Sequence, residues 1–304
     1  MNNDPPIEPI RRALPGRPAA SAVFLGEGDF FRAFLVDGEW VFRFARHAEA
    51  AQSLAREFCL LPRIASRLTL SIPVPELAAL DAAPPFTAYR LLRGRELSRE
   101  LYLAMNDARR TDCAGRVARF LNELHALDPQ TLADCGVPAT DYRAQYGALA
   151  DDAKEHLFDV LSRAERRFVE TTIDEYLSAG QSEAFAPCLL HGDLSPDHVL
   201  FDEETGAVTG IIDFGDAMIG DPAWDLVWIY EDYGTDFLAR LLPALDEPDR
   251  RGLLERVFAF ACLQTIEWAS DCRRAASDDL DEALAGLRSL VKTRRRRFDE
   301  LTRL

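Results

Sequence analysis

Lysine is nearly absent from this chain. Only Lys154 and Lys292 occur in 304 residues, so almost all fixed positive charge is guanidinium. Long apolar runs are absent too. No stretch approaches the run of about 20 apolar residues that a membrane span needs. The opening MNNDPPIEPIRR holds no apolar core of a secretory signal, and the chain is expected to stay in the cytoplasm. Cysteine is sparse and carries no CxxC spacing: Cys59, Cys113, Cys135, Cys188, Cys262 and Cys272 are scattered. That argues against a zinc or redox motif and for buried free thiols in a reducing compartment. No internal repeat and no low-complexity segment is present.

What is abundant is negative charge, and it is unevenly placed. The formal net charge is −16. Residues 1–92 hold ten acidic and ten basic side chains, so the excess lies wholly in residues 93–304. Such a balance excludes nucleic acid and an anionic membrane surface as partners and attracts a cationic small molecule. Between Asp193 and Asp232 there are 11 Asp and Glu residues and no Lys or Arg. A cluster of that density calls for a metal ion or a cationic substrate.

The spacing of apolar residues divides the chain at about residue 92. Residues 1–20 read as an irregular lead-in. Ser21–Phe24, Phe31–Val36 and Trp40–Phe44 read as strands, with glycines between the first two and an Asp37-Gly38 hairpin between the second pair. His47–Arg67 has helical spacing, and Glu76–Leu80 and Phe86–Leu92 can pair as two further strands. Beyond Gly94 the pattern turns helical, over 114–126, 152–178, 221–230, 236–244, 250–273 and 278–300. Arg294–Arg297 is a basic run on the last of these, read as a solvated face or a partner for the helix dipole. With 48% hydrophobic residues the chain can build a core. The expected class is α+β, with an antiparallel sheet lobe carrying one main helix over 1–92 and a larger, mostly helical lobe over 93–304.

The chemistry is concentrated where two apolar runs end in polar residues. His191-Gly192-Asp193 is followed by His198, then by Asp213-Phe214-Gly215-Asp216. Asp193, on a loop after a strand, suits a general base toward a hydroxyl. His198 and Asp213 could share a divalent ion. A hydrolytic metal site ligated by His191, Asp193 and His198 competes with this, while His191 alone reads better as a loop-fixing hydrogen-bonding residue.

HGDLSPDHVLF followed by IIDFGDA resembles the catalytic and metal-binding loops of the aminoglycoside phosphotransferases, within the protein-kinase-like fold. His198, in a slot usually held by Asn, is similar to the 2″-aminoglycoside and the macrolide branches, and the wording GIIDFGDAMIGDPAWDL and the later YEDYG are most similar to the 2″-aminoglycoside branch. The resemblance implies a bilobal kinase-like fold that transfers the γ-phosphoryl group of ATP or GTP, with Mg²⁺, to a hydroxyl of a cationic acceptor, and so antibiotic resistance. It makes Asp193 the catalytic base and His198 and Asp213 the metal ligands. Gly26 and Gly28 would fold over the phosphates, and Leu92 would touch the purine through its backbone. Arg43, in VFRF, occupies the place of the family's strand lysine, with Glu57 as its carboxylate partner; an exposed surface arginine is the alternative reading. On the acceptor side the resemblance points to Asp197, Asp216, Glu231, Asp232, Glu267, Trp268 and Asp271. Asp221 and Asp225 serve equally well as helix caps, and Trp224 and Trp228 suit the core better than a binding wall. The rivals are a macrolide kinase, a metabolite hydroxyl kinase of the same fold, and a nucleotide-binding pseudokinase. A monomer is expected.

Overall fold

The computed structural model describes residues 5–16, 21–178 and 185–304. Contacts along the chain gather into two compact units. One takes the described residues of Met1–Val137 together with His191–Ala217, and the other those of Pro138–Leu190 together with Met218–Leu304.

The first unit is built on an antiparallel sheet of five strands in the order β1-β2-β3-β5-β4. These are β1 Ala22–Glu27, β2 Phe31–Val36, β3 Trp40–Ala45, β4 Leu77–Ala79 and β5 Phe86–Arg90. The expected hairpin is present, with Asp37 and Gly38 both at positive φ, which is what a two-residue turn of matching twist requires. Alternation along β3 sends its side chains to two faces. Phe42 and Phe44 join Phe34, Phe86 and Ala88 in a core that also takes Ile10 and Leu14. Ile10 belongs to a helix, α1 Ile7–Ala13, where an irregular lead-in was expected; the rest of that expectation lies partly outside the described residues. Burying Ile10 against the sheet holds a seven-residue helix that would be marginal alone.

Arg43 falls on the opposite face, paired in register with Ala33 on β2 and Thr87 on β5. Every residue of β3 is buried, because helix α2 Ala48–Ile64 and the loops below cover this second face. The surface-arginine alternative is therefore wrong: Arg43 is 6% exposed.

Cysteine is a second correction. Cys59, on α2, forms a disulfide with Cys135, so two of the six thiols expected to be free are not. The partners lie 76 residues apart in sequence, a separation with no local signature; the packing of α2 on the turn Pro129–Cys135 brings them together. The other four thiols are free and buried.

The polar loops are carried by short strands. β7 Cys188–Leu190 pairs with β10 Met218–Gly220 in the second unit. In the first, β8 Val199–Asp202 and β9 Ala207–Ile211 pair with each other, and β6 Arg95–Glu96 joins β8. α3 Arg99–Ala104 and α4 Asp107–His125 complete this unit. Phe120 on α4 meets the Phe214 ring at 6.4 Å.

The second unit is helical: α5 Tyr142–Asp152, α6 Arg163–Ser178, α7 Thr235–Leu241, α8 Arg250–Ala275 and α9 Leu280–Leu301. Residues 221–230 do not form the expected regular helix. Short turns at Trp224–Leu226 and Ile229–Tyr233 stand there instead. Asp221 is fully buried, holding Arg256 at 2.8 Å and accepting the Ala223 amide at 2.9 Å, which assigns it to structure. Trp224 is core, its ring 5.3 Å from that of Phe260. No helix among the described residues is long and apolar enough to cross a membrane.

Candidate active site

Arg43 ties three elements of the first unit together. Its Nη1 donates to Glu57 Oε2 on α2 at 2.5 Å and its Nη2 to Asp213 Oδ1 at 2.8 Å, while the guanidinium lies over the Phe31 ring at 4.1 Å. Burial works against its charge, but Glu57 and Asp213 outweigh that and raise its pKa. Burial pushes the Glu57 carboxyl up to about 7 against the pull of Arg43. Such a pair is strong only while both members are present, since a lone buried charge is costly.

Asp213 is in the left-handed region, at φ +64, which costs most L-residues about 1–2 kcal/mol and Asp less. In this conformation its Oδ1 accepts from both Arg43 and the Gly215 amide. Its Oδ2 stands 3.8 Å from His198 Nε2. Burial opposes the Asp213 charge, and Arg43 and His198 more than compensate, holding its pKa below the usual carboxylate range.

Both nitrogens of His191 are engaged. The Asp193 amide donates to Nδ1 at 3.3 Å, so Nε2 carries the proton and donates to the Ile212 carbonyl at 2.9 Å. The ring is fully buried and meets the Phe214 ring edge-on at 4.7 Å. His191 thus joins the two loops and is not available as a ligand, which removes the three-ligand hydrolytic site. Gly192 lets the loops meet. Its φ is +90, and a Cβ there would lie 2.1 Å from the Asp216 carbonyl oxygen, so only glycine fits.

His198 donates from Nδ1 to the Asp193 carbonyl at 2.8 Å, which orients the ring and turns Nε2 toward Asp213 and Asp197, 3.8 and 3.7 Å away. Burial disfavours a charged ring, but the Asp193 carbonyl and the surrounding carboxylates raise the His198 pKa. A cation at Nε2 would take the proton's place. The Asp193 carboxylate stands 3.6 Å from His198 Nδ1. Burial, with Asp216, Asp197 and Asp213 adding to it, pushes Asp193 up to about 6 against the pull of His198. Asp197 accepts from Ser195 Oγ at 2.7 Å and is exposed, as is Asp216.

Beside this cluster the second sheet face and the loops enclose a cleft of about 280 Å³. Leu25, Gly26, Ala33, Val41, Tyr89, Leu91, Leu92, Leu200 and Ile212 line it, and Arg43 and Asp213 form its polar end. Gly26, within β1, and Leu92 both line this cleft. Gly28 is not part of the lining; its amide donates to the Phe31 carbonyl at 3.0 Å in the β1–β2 turn, and its carbonyl accepts from Arg46. The apolar walls went unnoticed in the sequence, although Leu200 and Ile212 directly flank the two motifs. Ser53 was also missed; it is buried on α2 and donates to the Gly215 carbonyl at 3.0 Å.

The other expected acceptor residues lie in the second unit. Glu231 accepts from Arg297, whose Nε also donates to Tyr230 Oη at 3.2 Å. Glu267 accepts from Gln145 at 3.2 Å, and Asp271 accepts from Arg274. Asp232 is half-buried, and Trp268 is 42% exposed.

Two donors to one Mg²⁺ at about 2.1 Å each can stand no more than about 4 Å apart. His198 Nε2 and Asp213 Oδ2 meet that limit. Among the described residues no three His, Cys, Asp or Glu side chains converge on one point; the pair suits an ion that completes its shell with phosphate and water. An apolar cleft for a flat ring, a buried cation at its polar end and a carboxylate-rich loop beyond are the parts of a phosphoryl-transfer site on a kinase-like α+β fold.

The comparisons agree. The model of the phosphotransferase enzyme family matches residues 22–260, and the chain belongs to that family. It is 30% identical to an aminoglycoside 2″-phosphotransferase whose structure was solved with GDP and kanamycin, covering 94% of this chain and 97% of that one at a TM-score of 0.87. Viomycin phosphotransferase of Streptomyces vinaceus is 25% identical over 92% of this chain and 96% of its own length. Uncharacterized protein YcbJ of Bacillus subtilis (strain 168) is 28% identical over 70% of this chain and 69% of its own.

Proposed function

We propose that this phosphotransferase moves the γ-phosphoryl group of ATP or GTP onto a hydroxyl of a cationic small molecule, an aminoglycoside antibiotic being the preferred class. The observation that carries the reading is the Arg43–Glu57–Asp213 cluster at the polar end of an apolar cleft, followed in the same unit by His198 and Asp193. The division of labour is a nucleotide-binding lobe over 1–92 and a catalytic and acceptor-binding lobe over 93–304, acting as a monomer in the cytoplasm, where the nucleotide is.

The purine lies between the walls formed by Val41, Ala33, Leu200 and Ile212, with backbone contacts at Leu92, which leaves ATP and GTP both admissible. Gly26 and Gly28 keep the backbone above the phosphates free of side chains. Arg43 supplies the charge that a strand lysine supplies elsewhere, and its fork can bridge a carboxylate and a phosphate oxygen together. His198 and Asp213 would hold Mg²⁺, which neutralises charge on the phosphates when bound. Asp193 orients the acceptor hydroxyl and takes its proton. Asp197 and Asp216 are exposed beside it and would meet amino groups of the acceptor, and Glu231, Asp232, Glu267, Trp268 and Asp271 are the second unit's candidates for acceptor contacts. That a phosphotransferase solved with kanamycin and a viomycin phosphotransferase are similar to this chain supports a polycationic acceptor.

A metabolite hydroxyl kinase is the second reading. It is favoured by the arginines already engaging Glu231 and Asp271, which leave less negative charge for a polyamine. The experiment is a turnover screen: ATP and GTP with Mg²⁺ against kanamycin- and gentamicin-type acceptors, viomycin, a macrolide and a panel of sugars and amino alcohols. Diphosphate release with the aminoglycosides is expected. Turnover confined to neutral sugars would move the assignment to the second reading, and no turnover with any acceptor would leave only nucleotide binding.

A further inference from the structure

A cavity of about 880 Å³ in the second unit has no part in the reading above. It lies among α6, α8 and α9, and its size is that of a small-molecule site. On α8 it uses Phe258, Ala259 and Cys262. Glu267 and Asp271 lie on the opposite side of the same helix by its 3.6-residue period, so this is not the acceptor surface. Val291 and Phe298 on α9 complete an apolar floor, with Phe258 and Phe298 packed edge to face at 5.4 Å.

The charge at its mouth marks it as more than a packing gap. Thr172 and Tyr176 on α6 line it, are 4% and 1% exposed, and their hydroxyl oxygens have no hydrogen-bond partner. Both oxygens are shut off from the cavity as well as from solvent, so they belong to the wall and not to a ligand contact. The mouth carries cations in a chain that is strongly acidic overall. Arg294 is engaged by Glu175, but among the described residues no carboxylate pairs with Lys292 or Arg295, both exposed lining residues. Arg294 and Arg295 of the basic run that looked in sequence like a solvated face thus rim a cavity, together with Lys292, one of the chain's two lysines.

We propose that this cavity binds an amphipathic carboxylate of fatty-acid size. Its apolar tail lies on the Phe258, Val291 and Phe298 floor, and its head group reaches Lys292 and Arg295. Glu175 and Glu255 at the same mouth select a single negative charge over a phosphate dianion.

The test uses the full chain and decanoate below its micelle concentration, followed by calorimetry. Saturable one-to-one binding is expected, at least tenfold tighter than that of decanol or decylamine. K292Q/R295Q should bring decanoate to the decanol level, and A259F should remove binding by filling the floor, both with an unchanged thermal midpoint and unchanged nucleotide affinity. Absence of saturable binding would overturn the proposal, as would an affinity indifferent to both variants. Displacement of decanoate by GDP would place it in the nucleotide cleft instead. A concentration-dependent dimer lost in A259F would show that a second copy covers the groove. Decanoate binding with no acceptor turnover would leave this site standing while the proposed function fell.

Discussion

In the loops after β7 and β9, the acids are organised by a single arginine from a neighbouring strand. Arg43 takes Glu57 with one arm and Asp213 with the other, which leaves Asp213 Oδ2 directed toward His198 and the Asp193 carboxylate beside it. The acids of the second unit are arranged differently. Glu231, Glu267 and Asp271 are each met by a side chain of the same unit, Arg297, Gln145 and Arg274. Both regions looked alike as negative charge in the sequence. The difference is that folding used one buried cation to aim carboxylates in the first region, and two arginines and a neutral amide to engage them singly in the second. Charge counts describe composition; the field at a site depends on which partners arrive.

The largest expected effect is at the centre of the first region. Asp193→Asn should lower kcat by a factor of about 10²–10⁴, the range a positioned general base contributes, while nucleotide affinity changes little. Steady-state rates with nucleotide titration decide it. An Asn variant retaining wild-type kcat would mean that the reaction does not use this carboxylate. Arg43→Ala comes next, because it leaves Glu57 buried without its partner. Breaking a buried pair from one side costs about 3–5 kcal/mol, so the thermal midpoint should fall by several degrees and the nucleotide KM should rise. Arg43→Lys keeps the charge but one arm only, and should recover most of the midpoint and part of the KM. An unchanged midpoint in Arg43→Ala would mean that the cluster does not organise the region.

Gly192→Ala tests whether the two loops must touch. The added carbon collides with backbone and the residue sits at positive φ, so the loops must move apart. A shift of about 1 Å at a reacting group costs on the order of 10²-fold in rate, and kcat should fall by that order. Gly28→Ala meets nothing within 4 Å and should leave the midpoint unchanged. A higher nucleotide KM in that variant would support the phosphate role of the turn, and an unchanged one would remove it.

These contrasts follow what the sequence could and could not reveal. The hairpin at Asp37-Gly38 and the strands around it were legible because turn chemistry and alternation act over a few residues. Arg43 stood out through its place in VFRF, but its burial did not, since that depends on helix α2 and on Asp213, 170 positions away. The 221–230 segment was misread because Asp221 and Pro222 imitate a helix start, whereas buried Asp221 is spent on Arg256. The Cys59–Cys135 disulfide, the walls of the apolar cleft and the partners of Glu231 and Asp271 all arise from tertiary packing. The motifs drew attention to these loops, and the packing decided which acids remain open.

Arg297→Ala is the smallest effect and the sharpest test of that last point. Arg297 holds Glu231 and reaches Tyr230 Oη at 3.2 Å, with its guanidinium 5.2 Å from the Tyr230 ring. Burial works against the charge on Glu231, and Arg297 compensates only in part, so the Glu231 pKa stays raised. Partly exposed pairs of this kind contribute about 0–1 kcal/mol to stability, so the thermal midpoint should move by no more than a few degrees. If Glu231 meets an amino group of the acceptor, Arg297 competes with that group. Its removal should then lower the KM for a polyamine acceptor by a few-fold and leave the KM for a neutral sugar alone. A KM that rises for both would make Arg297 part of the acceptor site. A KM that moves for neither would place Glu231 outside it, and the acidity of the second unit would then be surface charge with no part in choosing the acceptor.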